Sequence, residues 1–217
     1  MPEYSPSADR KTVVVGKAIC RLVAVAPWAW PLVGSSVGRF FDHAAAGWDE
    51  RTSAGSAGHL ATLAAGLDSL QSKPERVLDL GCGTGAGTLF LSREFPTASI
   101  RGLDLSESMI RQAQGKIGLD PEGRVNFRVG DASGLPFSDD SFDLVTQVNL
   151  PIFFREIARV LRPGGGLVIA SSHGDQTPFS TPESLVFRKL ASRGFGSIGS
   201  GTAGEGTWIS ARLEEQS

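Results

Sequence analysis

Three carboxylates carry the strongest chemical signal in this chain: Asp79, Asp104 and Asp131. Asp79 lies in "RVLDL", an apolar run that opens into the glycine-dense turn "GCGTGAG" at residues 81–87. Glycines suit such a turn because they adopt positive φ and let a ligand approach bare backbone. A carboxylate two residues before the first glycine repels a pyrophosphate and attracts a cationic or hydroxyl-rich ligand. Asp104 follows Gly85 by 19 residues, at the end of the next apolar run, "SIRGLDL". A carboxylate there can accept two hydrogen bonds from a ribose diol. Asp131 follows the third run, in "VGDASGLPF". It can accept from an adenine amino group while the Ala132 N–H reaches a ring nitrogen. Each residue taken singly has a structural reading: Asp104 as a cap for the helix opening near Ser106, Asp131 as a turn cap. Gly81-x-Gly83-x-x-Ala86 also satisfies a dinucleotide pattern. Their joint occurrence at three successive strand ends is what points to a bound nucleoside.

The elements that must position these residues are legible as alternation. Strands are read at 76–80, 99–105, 125–129, 142–148 and 166–172, and helices at 85–95, 106–117, 151–161 and 182–192. Pro151 opens the third of these helices and "RPGGG" closes it, the Pro-entry and Gly-exit asymmetry. Phe195–Ile198 and Thr207–Arg212 read as a closing strand pair joined by "GSGTAGEG". Such alternation builds a parallel, doubly wound α/β sheet, with ligands outside the carboxyl ends of the strands where the winding reverses. The closing pair, as a hairpin, places an antiparallel strand at the edge. Upstream, helices are read at 12–26, 33–45 and 58–70, with a Gly/Ser-rich connection at 47–59 and a loosely held polar stretch at 1–11. Residues 1–75 read as an N-terminal helical lid or extension and 76–217 as the ligand-binding domain, the two forming one structural unit.

Composition narrows the classes. The 217 residues, 41% hydrophobic and 20% charged, suit one full-sized domain, and a net charge of −2 leaves no footprint for sequence-independent nucleic-acid binding. Two cysteines, Cys20 and Cys82, one of them inside the glycine turn, argue against a disulfide framework and for a reducing, cytoplasmic setting. His43, His59 and His173 are too scattered for a metal site. The stretch 13–38 is apolar but interrupted by Lys17, Arg21, Pro27 and Pro31, which argues against a membrane span and makes it a poor match to a signal peptide. It is either a core-packing helix with a Pro-bounded "PWAWP" turn, or an interfacial segment making a peripheral membrane contact, with Trp28 and Trp30 near lipid or an apolar substrate.

The motifs "VLDLGCGTG", "GLDLSESMI", "GDASGLPFSDDSFDLV" and "REIARVLRPGGGLVIA", in this order across residues 77–170, resemble class I S-adenosylmethionine (SAM)-dependent methyltransferases. The resemblance is to the branch holding the ubiquinone/menaquinone C-methyltransferases and other small-molecule methyltransferases. It implies a Rossmann-like sheet of seven strands with a reversed final strand. It implies that Asp79, Gly81, Cys82, Gly83 and Gly85 hold the methionine end of SAM, that Asp104 and Leu105 hold the ribose and flank the adenine, and that Asp131 and Ala132 read the adenine edge. "FFDHAAAGWDER", residues 40–51, resembles the family's cofactor lid, with Trp48 where a tyrosine is common. The segment between the fourth strand and "REIARVL" is shorter than is usual in the family, and its "NLPIF" only faintly echoes the "NPPY" of amino-group methyltransferases.

The expected chemistry is methyl transfer to a small, perhaps apolar, acceptor by in-line displacement, which needs no covalent enzyme intermediate. A general base is needed only where the acceptor must lose a proton. His173, just past the fifth strand, is the first candidate, with a water-facing loop histidine as its bland reading; His43 and His59 come second. Gln147 and Asn149 stand where they could touch cofactor or acceptor, while Arg155, Arg159 and Arg162 read as a solvated helix side. Two other functions fit part of the pattern: a SAM-binding module without catalysis, and a nicotinamide oxidoreductase.

Overall fold

The computed structural model describes residues 10–120 and 122–215; most of the N-terminal polar stretch lies outside them. Seven strands form one sheet: β1 (Arg76–Leu80), β2 (Ser99–Asp104), β3 (Val125–Val129), β4 (Phe142–Val148), β5 (Leu161–Ser171), β6 (Phe195–Ala203) and β7 (Gly206–Leu213). Their order is β3-β2-β1-β4-β5-β7-β6. The first five run parallel, and β7 is antiparallel to both of its neighbours. The winding reverses between β1 and β4, so the crevice expected of such sheets opens at the carboxyl ends of these two strands. Asp79 pairs with Gly102 on one side and Thr146 on the other, which puts it at the centre of the sheet.

Alternation along the strands builds two core layers. Val77, Ile100, Leu144 and Val168 face α4 (Ala57–Leu70) and α5 (Ala86–Glu94), where they pack with Leu63, Leu67 and Leu91. Leu78, Leu80, Val145, Leu167 and Ile169 face the other way. They pack with Val23 of α1 (Arg10–Val25), Ile157 of α7 (Phe154–Val160) and Val186 of α8 (Glu183–Ala191). Both layers exclude water from strands that read as continuous apolar runs, as a doubly covered parallel sheet requires. The remaining helices are α2 (Gly34–Ala44), α3 (Trp48–Thr52) and α6 (Glu107–Gly115). Ser106 caps α6 by accepting the Met109 N–H at 3.1 Å.

Four local readings are corrected by the structure. The helix expected from Pro151 starts only at Phe154, because Asn149 turns the chain at φ 54° and Gln147 Nε2 donates to the Leu150 carbonyl at 3.0 Å, holding 150–153 in an irregular turn. "RPGGG" belongs to β5: Leu161 pairs with Phe142, the register slips, and Gly166 rejoins opposite Leu144. Of the glycines of "GSGTAGEG", Gly199 and Gly201 lie within β6 and Gly206 opens β7, leaving Gly204 in the turn; the Trp208 ring covers Gly201, where a Cβ would come within 2.7 Å. Finally, Arg159 is not a solvated side chain. It donates to the carbonyls of Leu135 and Phe137 and to Asp139 and Glu156, pinning the loop before β4. Arg162 pairs with the buried Asp143 at 2.9 Å.

Candidate cofactor and acceptor site

The crevice holds a hollow of about 140 Å³. Of the residues singled out in the sequence, Asp79, Gly81, Cys82, Gly83, Asp104, Leu105, Asp131 and Ala132 line it. β1, β2 and the loop after β3 therefore bring the three carboxylates to one cavity.

The turn after β1 is built on left-handed backbone: Gly81, Gly83 and Gly85 have φ 65°, 52° and 89°. Only one of the three leaves open space beside its α-carbon. A Cβ on Gly81 would strike Leu150 and one on Gly85 would strike Phe127, but within 4 Å of one on Gly83 there is nothing. Gly85 thus serves the entry to α5 and does not line the hollow.

Asp79 is 2% exposed, and its carboxylate accepts from Thr88 Oγ1 at 2.7 Å and Thr146 Oγ1 at 3.1 Å. Burial pushes its carboxyl up to about 6, against the two threonine bonds, and the charge of Asp104 adds to the rise. Asp104 accepts the Gly83 N–H and the Ser106 N–H, each at 2.8 Å. Those bonds use two of about four lone-pair sites and leave acceptor capacity toward the hollow. Burial raises its pKa as well. Asp131 is engaged from the N-terminal side. Trp30 Nε1 donates to its two oxygens at 3.0 and 2.8 Å, and the Ser133 N–H donates at 2.8 Å.

The two tryptophans of "PWAWP" part company in the structure. The segment is a 3₁₀ turn, Pro27–Leu32, in which side chains two apart point about 120° away from each other. Trp30 is buried against Phe153, edge to face at 5.2 Å, while Trp28 is 79% exposed. Phe41 and Trp48 complete the N-terminal wall, ring on ring at 5.6 Å. Straps fasten this wall to the sheet domain. Asp42 accepts from Ser106 Oγ and the Ser108 N–H; Asp49 accepts from Thr84 Oγ1 and pairs with Lys116; Gln112 Nε2 donates to the Ala45 carbonyl.

Two expected residues stand elsewhere. His173 lines neither this hollow nor its neighbour; its Nδ1 meets Ser172 Oγ at 3.0 Å and its Nε2 lies 3.9 Å from Glu205. Gln147 is 1% exposed in β4 and supports the 150–153 turn from behind. The histidine that does reach the hollow is His59, in the first turn of α4. Its Nδ1 is buried without a partner, and burial, then the nearby His173, lower its pKa against the pull of Asp49. It is therefore neutral at physiological pH, the form that accepts a proton. His43 is exposed and bonded to the Arg39 carbonyl. Asn149 lines the hollow and is held by a reciprocal pair of bonds with Ser172.

A second hollow, of about 830 Å³, adjoins the first; Leu150 and Phe179 line both. Ile152, Ile169, Val186, Phe187 and Ile209 line it together with the carboxylates of Asp175 and Glu183 and hydroxyls from Ser171, Ser200 and Thr207.

A doubly wound sheet with carboxylates at the ends of β1 and β2 and beyond β3, around a glycine turn, defines a domain of Rossmann-like class. Residues 77–165 match the family model described as a methyltransferase domain. The ubiquinone/menaquinone biosynthesis C-methyltransferase UbiE of Geobacter sulfurreducens is 35% identical over 130 residues, 56% of this chain and 48% of that protein. The O-methyltransferase cnsE of Penicillium expansum is 35% identical over 138 residues, 60% of this chain and 49% of that protein. The chain thus spans about half the length of the curated relatives it matches. Among solved structures, a chain of the complex between the Haloferax volcanii Trm112 methyltransferase activator and a methyltransferase superposes with a TM-score of 0.66 at 21% identity, covering 81% of this chain and 98% of that one. That likeness is one of fold.

Proposed function

We propose that this protein transfers the methyl group of SAM to a small, apolar acceptor by in-line displacement. The observation that carries the reading is the convergence of Asp79, Asp104 and Asp131 on one hollow at the reversal of the sheet. Asp79 and the backbone of the glycine turn would receive the cationic methionine end, Asp104 the ribose hydroxyls, and Asp131 with Ala132 the adenine edge. The donor set fits: a buried carboxylate faces the cationic part, a second has lone pairs left for a diol, and open space lies beside Gly83. Ligand pockets commonly span about 300–1,000 Å³. The hollow is smaller, so the cofactor enters by displacing a wall, and the N-terminal segment with Trp30 is the wall held by side-chain contacts alone. The 3₁₀ turn, α2 and α3 act as this lid; α4, although it also precedes residue 76, packs into the core of the domain they cover.

When bound, SAM supplies an activated methyl whose bond to sulfur breaks as the bond to the acceptor forms. The chain's part is alignment and exclusion of water, and orientation of this kind can supply about 7–11 kcal/mol of a barrier. The second hollow, beyond Leu150 and Phe179, is the acceptor chamber. Where the acceptor must lose a proton, His59 Nδ1 takes it. Free, buried Cys20 and Cys82 support a reducing, cytoplasmic setting. Among the described residues no helix is long and apolar enough to cross a membrane.

Incubation with methyl-labelled SAM and extracted quinones, lipids and small metabolites tests the reading. A labelled product whose formation is lost in Asp104→Ala supports it; SAM binding without turnover on any pool contradicts the catalytic part.

A further inference from the structure

The outer face of the N-terminal helices differs from the rest of the surface. Residues 10–41 contain five basic residues, Arg10, Lys11, Lys17, Arg21 and Arg39, and no acidic one, in a chain of net charge −2. The first acidic residue beyond them, Asp42, is turned inward onto Ser106 and Ser108. The same elements show large apolar side chains to solvent: Val14, Val15 and Val25 of α1, Trp28 and Leu32 of the 3₁₀ turn and Phe40 of α2, between 52% and 79% exposed. On α1 the exposed residues Val14, Ala18, Arg21 and Val25 recur at three- and four-residue spacing. The opposite side of the helix, with Cys20, Val23 and Ala24, is buried. The helix therefore has two apolar sides, only one of which the fold covers.

We propose that this face docks on an anionic lipid bilayer. Trp28, Leu32 and Val25 would enter the interface, and Arg21 and Arg39 would meet the headgroups, the division of labour of interfacial helices. Exposed aliphatic side chains together with an exposed tryptophan and exposed arginines suit the water–lipid boundary, where indole rings partition. Contact is peripheral, since α1 has only 16 residues and no described helix can span.

The docking is coupled to the cofactor hollow through one turn. Trp28 points to the bilayer and Trp30, two residues on, binds Asp131. Movement of the turn toward lipid withdraws the Trp30 indole from the carboxylate assigned to the adenine edge. Binding free energies are reciprocal, so vesicles then raise cofactor affinity and the cofactor raises vesicle affinity. This coupling rests on the nucleoside reading of the site; the docking does not.

Co-sedimentation of the full chain with vesicles of phosphatidylglycerol mixed with phosphatidylcholine, and of phosphatidylcholine alone, tests the docking. The wild type pellets with the anionic vesicles and is released by salt. The Arg21→Glu/Arg39→Glu double variant loses roughly fivefold or more in partitioning per charge changed. Trp28→Ser/Leu32→Ser also loses partitioning, and circular dichroism of both variants stays that of the wild type. Absence of pelleting, or pelleting that neither variant weakens, overturns the proposal. So does a concentration-dependent dimer that Trp28→Ser/Leu32→Ser dissolves without any vesicle binding, since the face is then a contact between copies of this chain. In the second arm, SAM affinity rises with anionic vesicles in the wild type and not in Trp28→Ser/Leu32→Ser. An unchanged affinity in both overturns the coupling, whereas SAM binding under no condition defeats the nucleoside reading and leaves the vesicle result to stand by itself.

Discussion

Asp79 is the residue on which charge and burial conflict most. Its carboxyl sits at about 6 in the fold, above the ordinary carboxylate near 3.9. The folded state therefore holds a proton that the unfolded chain has lost between those values, and stability falls as pH rises through the window. In the protein without cofactor this group costs up to about 2–3 kcal/mol above pH 6. Asp79→Asn should flatten that part of a plot of thermal midpoint against pH, with the variant more stable than wild type at neutral pH and equal to it near pH 4. A plot unchanged by the substitution would place the proton elsewhere. The same group makes cofactor binding pH-dependent in the opposite sense, because a cationic ligand needs the carboxylate. Calorimetric affinity for SAM should drop as pH falls through about 6, and the drop should be absent in Asp79→Asn. At His59 the expectation is kinetic: His59→Gln slows turnover only of acceptors that must lose a proton.

At the scale of elements, the N-terminal wall is held by few contacts for its role. Trp30→Phe keeps most of the buried ring but removes the donor to Asp131. If the indole competes with the cofactor, this variant binds SAM more tightly in calorimetry; weaker binding would make Trp30 part of the adenine wall itself. Arg159 is the opposite case, a helix residue with three acceptors on one loop and a fourth, Glu156, on its own helix. Arg159→Ala strips charge-assisted bonds from partly buried carbonyls and should lower stability by about 2–3 kcal/mol in denaturant unfolding, with little effect on cofactor affinity at permissive temperature. The elements themselves were legible to different degrees for physical reasons. "RVLDL", "VNFRV" and "FDLVTQV" are apolar or alternating runs between turn residues, and β1, β3 and β4 have those bounds. The start of β5 and every second or third residue of β6 are written in glycine, which signals turns by itself; only the paired neighbour, with Trp208 over Gly201, makes strand of it. The three carboxylates were visible because strand ends are marked locally. Trp30 on Asp131 joins residues 101 apart, and His59 reaches the hollow only because α4 packs on the far side of the sheet; no local pattern encodes either.

For the whole molecule, the arrangement is a rigid doubly wound sheet under a lid tied down at Asp42, Asp49 and Gln112. Cofactor binding should slow amide hydrogen exchange in α2, α3 and the 3₁₀ turn, while the central strands, already buried on both faces, change little. Uniform slowing across the sheet would instead mean that the lid does not move as a unit. Leu150 and Phe179 line both hollows, so on the proposed assignment of donor to one and acceptor to the other these two side chains must yield for transfer.

The account stands on three strand-end carboxylates holding one nucleoside, and calorimetric titration of SAM into the wild type and Asp104→Ala tests that most directly. Loss of two charged hydrogen bonds to the ribose predicts a single site in the wild type that weakens by about 1–3 kcal/mol in the variant. A variant that binds SAM as tightly as the wild type would contradict it.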